Sequence, residues 1–193
     1  MADKVRLGVI GLGNMGSLHC KLLQKTPQLE LAAGCDVDTE RLSKITGRYG
    51  CAGFTDAREL LKARVCDAVL VATPHYSHTT IGIDALNRGY HLMVEKPISV
   101  HKADAIRLIN AHKNDNQVFA AMFNQRTNPA YLKIKEMLDG GEMGAVRRVQ
   151  WTITDWFRSQ AYYDSGGWRA TWSGEGGGVL LNQCPHQLDL LQW

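Results

Sequence analysis

The sequence predicts a doubly wound α/β domain on a parallel sheet, followed by a second region of different make-up. Three observations predict it. Short apolar runs alternate with helix-period segments as far as Phe123. The first of those runs ends in a glycine-rich turn, Gly11-Leu12-Gly13-Asn14-Met15-Gly16. All five tryptophans fall between Trp151 and Trp193, so the region beyond residue 124 is made of different material. The boundaries drawn are 1–124 and 125–193.

Val5 to Ile10 is apolar throughout its second half and reads as a strand, and Met15 to Gln24 carries Leu18, Leu22 and Leu23 at helical spacing. Pro27 stops that helix. Leu29 to Cys35 is a second strand ending at Asp36, and Thr39 to Tyr49 is a helix with Thr39 as N-cap. The alternation continues with a strand at Cys51–Phe54, a helix at Ala57–Ala63, a buried strand at Ala68–Ala72 and a helix at Ser77–Arg88 closed by Gly89. A strand at His91–Glu95, a helix at Lys102–Asn114 and a strand at Val118–Phe123 complete the first region. Strands this apolar require helices on both faces, and the glycine-rich first turn favours an open doubly wound sheet over a piece of a barrel. The second region reads as a helix at Pro129–Leu138, a turn at Gly140–Gly141, a long strand at Val146–Phe157, an aromatic and glycine-rich loop at Gly166–Gly178 and a helix from Pro185.

With 193 residues, 45% of them hydrophobic, the chain has ample material for a core. Its net charge, 22 − 19 = +3, comes without a basic run, so a nucleic-acid partner is not expected. No stretch reaches the roughly 18 apolar residues of a membrane span, and Met1-Ala2-Asp3-Lys4 leads straight into a strand, so the cytoplasm is expected. The five cysteines, odd in number and without a C-x-x-C pair, read as reduced structural thiols.

A G-x-G-x-x-G spacing alone is weak evidence; its context here is strong. Gly11, Gly13 and Gly16 follow a strand and open a helix, and Asp36 ends the next strand 20 residues beyond the last glycine (36 − 16). This is the dinucleotide-binding fingerprint of a Rossmann domain. Gly11 permits the tight turn, Gly13 lets backbone approach the pyrophosphate, and Gly16 allows close helix packing. The helix N-terminus adds unpaired N–H groups and a positive dipole end. Asp36 is expected to accept the adenosine ribose hydroxyls, each bond being worth about 1.5–3 kcal/mol, and to repel a 2′-phosphate. NAD is therefore expected over NADP, although Arg41, five residues on, has the reach to serve a 2′-phosphate or to stack on adenine.

The segment Val94-Glu95-Lys96-Pro97 places a lysine at the carboxyl end of a parallel strand, beside the expected nucleotide. The motifs "GLGNMG", "CDVD", "VATPHYSH", "EKP", "NQRTNPAY" and "GGGVLLNQCPHQLDLL" occur in the order that resembles the Gfo/Idh/MocA oxidoreductases, over essentially the whole chain. The resemblance implies that Lys96 contacts substrate and nicotinamide ribose, and that the bond before Pro97 is cis. It implies that Asn14, Met15, Thr73, Pro74 and His78 line the cofactor and that Glu95 holds the ribose side. It further implies that His186 is the general acid/base, with Asn182 standing where the family usually has aspartate; an asparagine orients the ring but contributes no charge. Arg126, Tyr163, Trp168 and Arg169 are the expected substrate contacts. Metal is not expected: His75 and His78 lack a Cys or carboxylate at ligand spacing. His19, His91, His101 and His112 read as ordinary surface or packing residues.

The resemblance implies an NAD-dependent dehydrogenase acting on a secondary alcohol of a sugar, cyclitol or related polyol. Two rivals stand beside it, an NAD-dependent glycosidase that oxidises its substrate transiently and a non-catalytic NAD-sensing regulator. The resemblance also implies that residues 125–193 begin an α+β substrate domain with a mostly antiparallel sheet; because family members are longer, the chain reads as truncated, and the full-length form is expected to be a homo-oligomer.

Overall fold

The computed structural model describes residues 4–154 and 157–193. It divides into two compact units, one ending at Met122 and the other running Phe123–Trp193.

In the first unit, β1 (Val5–Ile10) leads through the glycine turn into α1 (Asn14–Leu23), and β2 (Leu29–Cys35) leads into α2 (Thr39–Tyr49). Then come β3 (Ala52–Phe54), α3 (Ala57–Ala63), β4 (Ala68–Val71), α4 (His75–Asn87), β5 (His91–Val94), α5 (Lys102–Ala111) and β6 (Phe119–Ala121). The six strands form one parallel sheet in the order β3-β2-β1-β4-β5-β6. Neighbouring β1 and β4 continue toward opposite edges of the sheet, so the topological switch point lies beyond their carboxyl ends.

The central strands are buried on both faces. Leu7 and Val9 of β1 join Leu31, Leu42, Ile45 and Cys20 in one core cluster, while Ile10 joins Val69, Val71, Leu60, Leu86, Leu92 and Leu108 in the other. This alternation follows from the two-residue period of a strand lying between two helical layers.

Several element ends shift by one to three residues from expectation, α4 beginning at His75 rather than Ser77, α5 ending at Ala111 rather than Asn114 and β6 shrinking to Phe119–Ala121, and two further readings change. The N-cap of α2 is Asp38, not Thr39: its extended backbone lets the carboxylate accept the N–H groups of Glu40 and Arg41. In α1, Leu18 and Leu22 are largely exposed, and the face turned to the sheet is Gly16, Cys20 and Leu23. The reason is Gly16: a Cβ there would lie 1.8 Å from the Gly11 carbonyl oxygen, so the glycine contact fixes the rotation of the helix and outranks the leucine stripe.

The second unit holds a 3₁₀ turn (Asn124–Thr127), α6 (Pro129–Asp139) capped by Asn128, and three short helices, α7 (Gln160–Asp164), α8 (Val179–Asn182) and α9 (Pro185–Gln192). The strand expected at Val146–Phe157 does not form among its described residues, and Asp155 and Trp156 lie outside them. A strand exists only by pairing, and all six described strands belong to the first unit. Residues 146–154 have no ladder pairing and are exposed, and the expected antiparallel sheet has no strand among the described residues of this unit.

Candidate functional site

The glycine turn sits at the switch point, and each glycine answers to a different constraint. Gly11 has φ +90°, and a Cβ on it would lie 2.7 Å from the backbone of Ala72 and Thr73 at the end of β4. Gly16 packs on the Gly11 carbonyl. Gly13 is different, because a Cβ there would meet nothing within 4 Å. The fold does not need that glycine, and the space before it suits a group that approaches backbone. Gly13 also caps α1 without a side-chain hydrogen bond, and the first turn of α1 has no acidic residue, so the N–H groups and the positive dipole end face this space. Asn14 and Met15 are exposed on that first turn. Thr73, whose backbone N lies against Gly11, has a buried hydroxyl with no hydrogen-bond partner among the described residues. Pro74 beside it is exposed.

Asp36, nearly buried at the end of β2, ties the second strand to the turn. Its Oδ2 accepts the Leu12 N–H at 2.7 Å, and its Oδ1 accepts the Asp38 N–H at 2.9 Å. Arg41 lies across both oxygens at 3.2 Å and reaches Asp38 at 3.3 Å.

At the end of β5, Glu95 is 6% exposed, and its Oε1 accepts from Nε2 of His19 at 2.7 Å. Its Oε2 accepts the Lys96 N–H at 3.1 Å. The Lys96–Pro97 bond is cis. His78 is fully buried, with Nδ1 at 2.8 Å from the Pro97 carbonyl oxygen and Nε2 at 2.8 Å from that of Thr73. Both ring nitrogens thus face backbone, and the imidazole meets any ligand only through the two turns it touches. His19, which the sequence marks only as an ordinary surface or packing residue, holds Glu95 instead; its signal was its place one helical turn beyond Gly16, on the side that packs against the sheet.

In the second unit, Arg126 makes a bidentate pair with Asp189 at 2.7 and 2.6 Å and lies 5.6 Å from the Trp193 ring centre. Its fork is engaged on α9, the helix that carries His186. The His186 ring meets Phe123 edge-on at 6.0 Å. Asn182 is buried and donates from Nδ2 to Oε1 of Glu175, also buried, a carboxylate that the sequence reading passed over. Arg169 donates to the Tyr162 hydroxyl at 2.6 Å, and its guanidinium lies over the rings of Tyr162 and Trp168. Tyr163 stacks edge-on against Tyr162 at 5.2 Å. Lys96 belongs to the first unit and His186 to the second.

Residues 5–123 match the oxidoreductase family with an NAD-binding Rossmann fold, and residues 131–193 match the GFO/IDH/MocA C-terminal domain. The chain belongs to the Gfo/Idh/MocA oxidoreductase family. It is 29% identical to Oxidoreductase P35 of Formosa agariphila, over 99% of this chain and 60% of that protein. It is 28% identical to the myo-inositol 2-dehydrogenase of Thermotoga maritima, over 98% of this chain and 54% of that one. Among solved structures, the WlbA dehydrogenase from Bordetella pertussis, in complex with NADH and UDP-GlcNAcA, superposes with a TM-score of 0.87 at 28% identity. That match covers 98% of this chain and 59% of the WlbA chain. The chain therefore spans a little over half the length of the relatives it matches.

As a Gfo/Idh/MocA chain it has the parts a dinucleotide needs: an open glycine before a helix N-terminus, an unpartnered buried hydroxyl, and a carboxylate at the end of the second strand. An apolar hollow of about 490 Å³ lined by Leu7, Leu22, Leu70, Leu92, Met93 and other residues lies elsewhere, among β1, β4, β5, β6 and α1. Its lining is mostly apolar, with His19, Thr26 and His91 the polar exceptions. Among the described residues no cluster of three or more His, Cys, Asp or Glu could hold a metal, and no helix is long and apolar enough to cross a membrane.

Proposed function

We propose that the protein is an NAD-dependent dehydrogenase that moves hydride between the nicotinamide and a secondary alcohol of a sugar, cyclitol or related polyol. The observation that carries this reading is the switch-point turn, where Gly13 keeps an open face that the fold itself does not use and the Thr73 hydroxyl is buried without a partner among the described residues. The substrate class draws on the relatives, an inositol dehydrogenase and a sugar-nucleotide dehydrogenase.

Gly11, Gly13, Asn14, Met15 and Gly16 would hold the pyrophosphate through backbone N–H groups. Asp36 would take the adenosine ribose. Its bonds from the Leu12 and Asp38 N–H groups are short, whereas the Arg41 contacts are longer. Ribose hydroxyls would displace the arginine and leave the two backbone bonds in place. A 2′-phosphate would meet the Asp36 carboxylate, and only a swung Arg41 could offset that charge, so NAD is preferred over NADP. Thr73, Pro74 and Glu95 would line the nicotinamide side.

When bound, the nicotinamide supplies the hydride acceptor. The chain's own residues then have three tasks. Lys96 holds the substrate oxygen with its ammonium group. His186 removes the hydroxyl proton as hydride leaves the same carbon, with Asn182 orienting the site and Asp189 fixing α9 through Arg126. Arg169, Trp168 and Tyr163 offer a cation and flat apolar faces suited to a sugar ring.

The test has two parts. Calorimetric titration of this chain should show NAD bound in preference to NADP, with Asp36→Ala weakening NAD at least tenfold, roughly the loss of one charge-assisted bond. The full-length protein should reduce NAD with an inositol or a UDP-N-acetylglucosaminuronate among a polyol panel, and His186→Ala should cut turnover by about 10²–10⁴. Unaltered turnover in that variant overturns the assignment of the base.

A further inference from the structure

His78 occupies an unusual position for an imidazole. It is fully buried on the first turns of α4, and both of its ring nitrogens lie 2.8 Å from carbonyl oxygens on two different turns, Pro97 after β5 and Thr73 after β4. The next residue, Thr79, shares a hydrogen bond between its hydroxyl and that of Ser99, so the same stretch of α4 grips the β5 turn twice. Pro97 has no N–H, and its carbonyl is therefore its only polar backbone handle. His78 takes that handle one residue beyond Lys96.

We propose that His78 is a positioning residue for Lys96, fastening the turn that carries Lys96 to the turn that carries Thr73. The inference rests on the reading of Lys96 given above. Nothing else in the geometry explains why a buried ring should meet two acceptors at once. A carbonyl only accepts, and a neutral imidazole has one N–H, so the neutral ring makes a hydrogen bond to one turn and merely contacts the other. The imidazolium would bond both. Burial holds the ring's proton affinity below its ordinary value; Lys96 acts in the same direction, while the two carbonyls and Glu95 act against it. His75, whose ring centre is 5.9 Å away, is the remaining titratable neighbour on α4. Protonation would therefore add the second hydrogen bond at a cost in global stability.

The experiment compares NADH with ADP-ribose, which lacks the nicotinamide end, on the 193-residue chain and its His78→Phe, His78→Gln and Lys96→Met variants. His78→Phe should bind ADP-ribose within twofold of the parent but NADH about tenfold more weakly, the equivalent of one lost hydrogen bond. His78→Gln keeps an N–H donor and should recover part of the loss. In the parent chain, nitrogen-15 NMR should show a slowly exchanging ring N–H on His78. Equal affinities for NADH in parent and folded His78→Phe overturn the proposal, as does an equal loss for both ligands, which would mean a structural role only. Should His78→Phe not fold, the absence of a protected ring N–H in the parent overturns it. If Lys96→Met leaves the ratio of the two ligands unchanged, the reading of Lys96 itself falls and this inference with it.

Discussion

Replacing Gly13 with alanine separates the cradle from the fold. Gly13 has φ −62°, a value open to any residue, and its added Cβ would meet nothing within 4 Å. The cost to the folded chain is then only that of a poorer N-cap, about 0.5–1 kcal/mol. A pyrophosphate seated against this backbone would meet the new methyl group and retreat by about its radius, losing one charge-assisted hydrogen bond of about 1.5–3 kcal/mol. The dissociation constant for NADH should rise roughly ten- to hundredfold. Gly16→Ala should behave in the opposite way: its Cβ would lie 1.8 Å from a backbone carbonyl oxygen, with no flexible side chain to yield, so the fold itself should lose more than about 3 kcal/mol. Gly47→Ala in α2 is the control, because its Cβ also meets open space in a helix interior; it should add about 0.5–1 kcal/mol of stability and leave binding alone. Urea unfolding followed by circular dichroism reads the first quantity and calorimetry the second. A folded Gly13→Ala chain that binds NADH within twofold of the parent would refute the seat assigned to the pyrophosphate.

Three further outcomes follow from the charges and thiols. His78 binds its proton less readily in the folded chain than its ordinary 6.5, so below that pH the unfolded chain takes up a proton that the folded chain refuses. Urea midpoints should fall from pH 7.5 to pH 5.5, and more steeply in the parent than in His78→Gln. Burial pushes the Cys20 and Cys35 thiols up to about 12 and Cys66 up to about 11, so all three should resist an aromatic disulfide reagent at pH 8 in the native chain and react once it is unfolded. The same shifts remove stability as pH rises above the ordinary thiol value near 9, where only the unfolded chain ionises. Arg126→Lys loses the bidentate fit on Asp189; with the guanidinium 42% exposed, the cost should be about 1 kcal/mol or less, and it should appear as faster amide exchange in α9.

The first unit was legible because each of its decisions is local. Strand, glycine turn and helix follow one another within a few residues, and caps such as Asp38 and Asp56 act on N–H groups two residues away. β1, β2, α2 and α3 fall on the residues that the sequence indicates. The long strand expected at Val146–Phe157 fails for the complementary reason. Partial alternation shows that a segment can present two faces, but a ladder needs a second segment, and pairing is a property of two stretches that no single stretch encodes.

The same distinction runs through the candidate site. The positions of Gly11, Gly13 and Gly16 were readable because their task is set by the turn they form. What holds the chemistry in place was not, because each holder is a partner distant in the chain. His19 meets Glu95 across 76 residues, and Asp36 reaches back 24 residues to the Leu12 N–H. His78 was expected beside the cofactor from the company it keeps in sequence; in the structure its two nitrogens point at carbonyls 5 and 19 residues away. Apart from the local His78–Thr73 contact, these share one feature: each links the end of one parallel strand to the turn or helix that follows another. A parallel sheet brings all its carboxyl ends to one edge while the chain between them travels through a helix, so residues far apart in the chain are obliged to meet there. The side chains that fill that edge are selected by neighbours the linear order hides, and for that reason the glycines of the turn can be read from the sequence whereas the residues that brace them emerge only once the strand order is known.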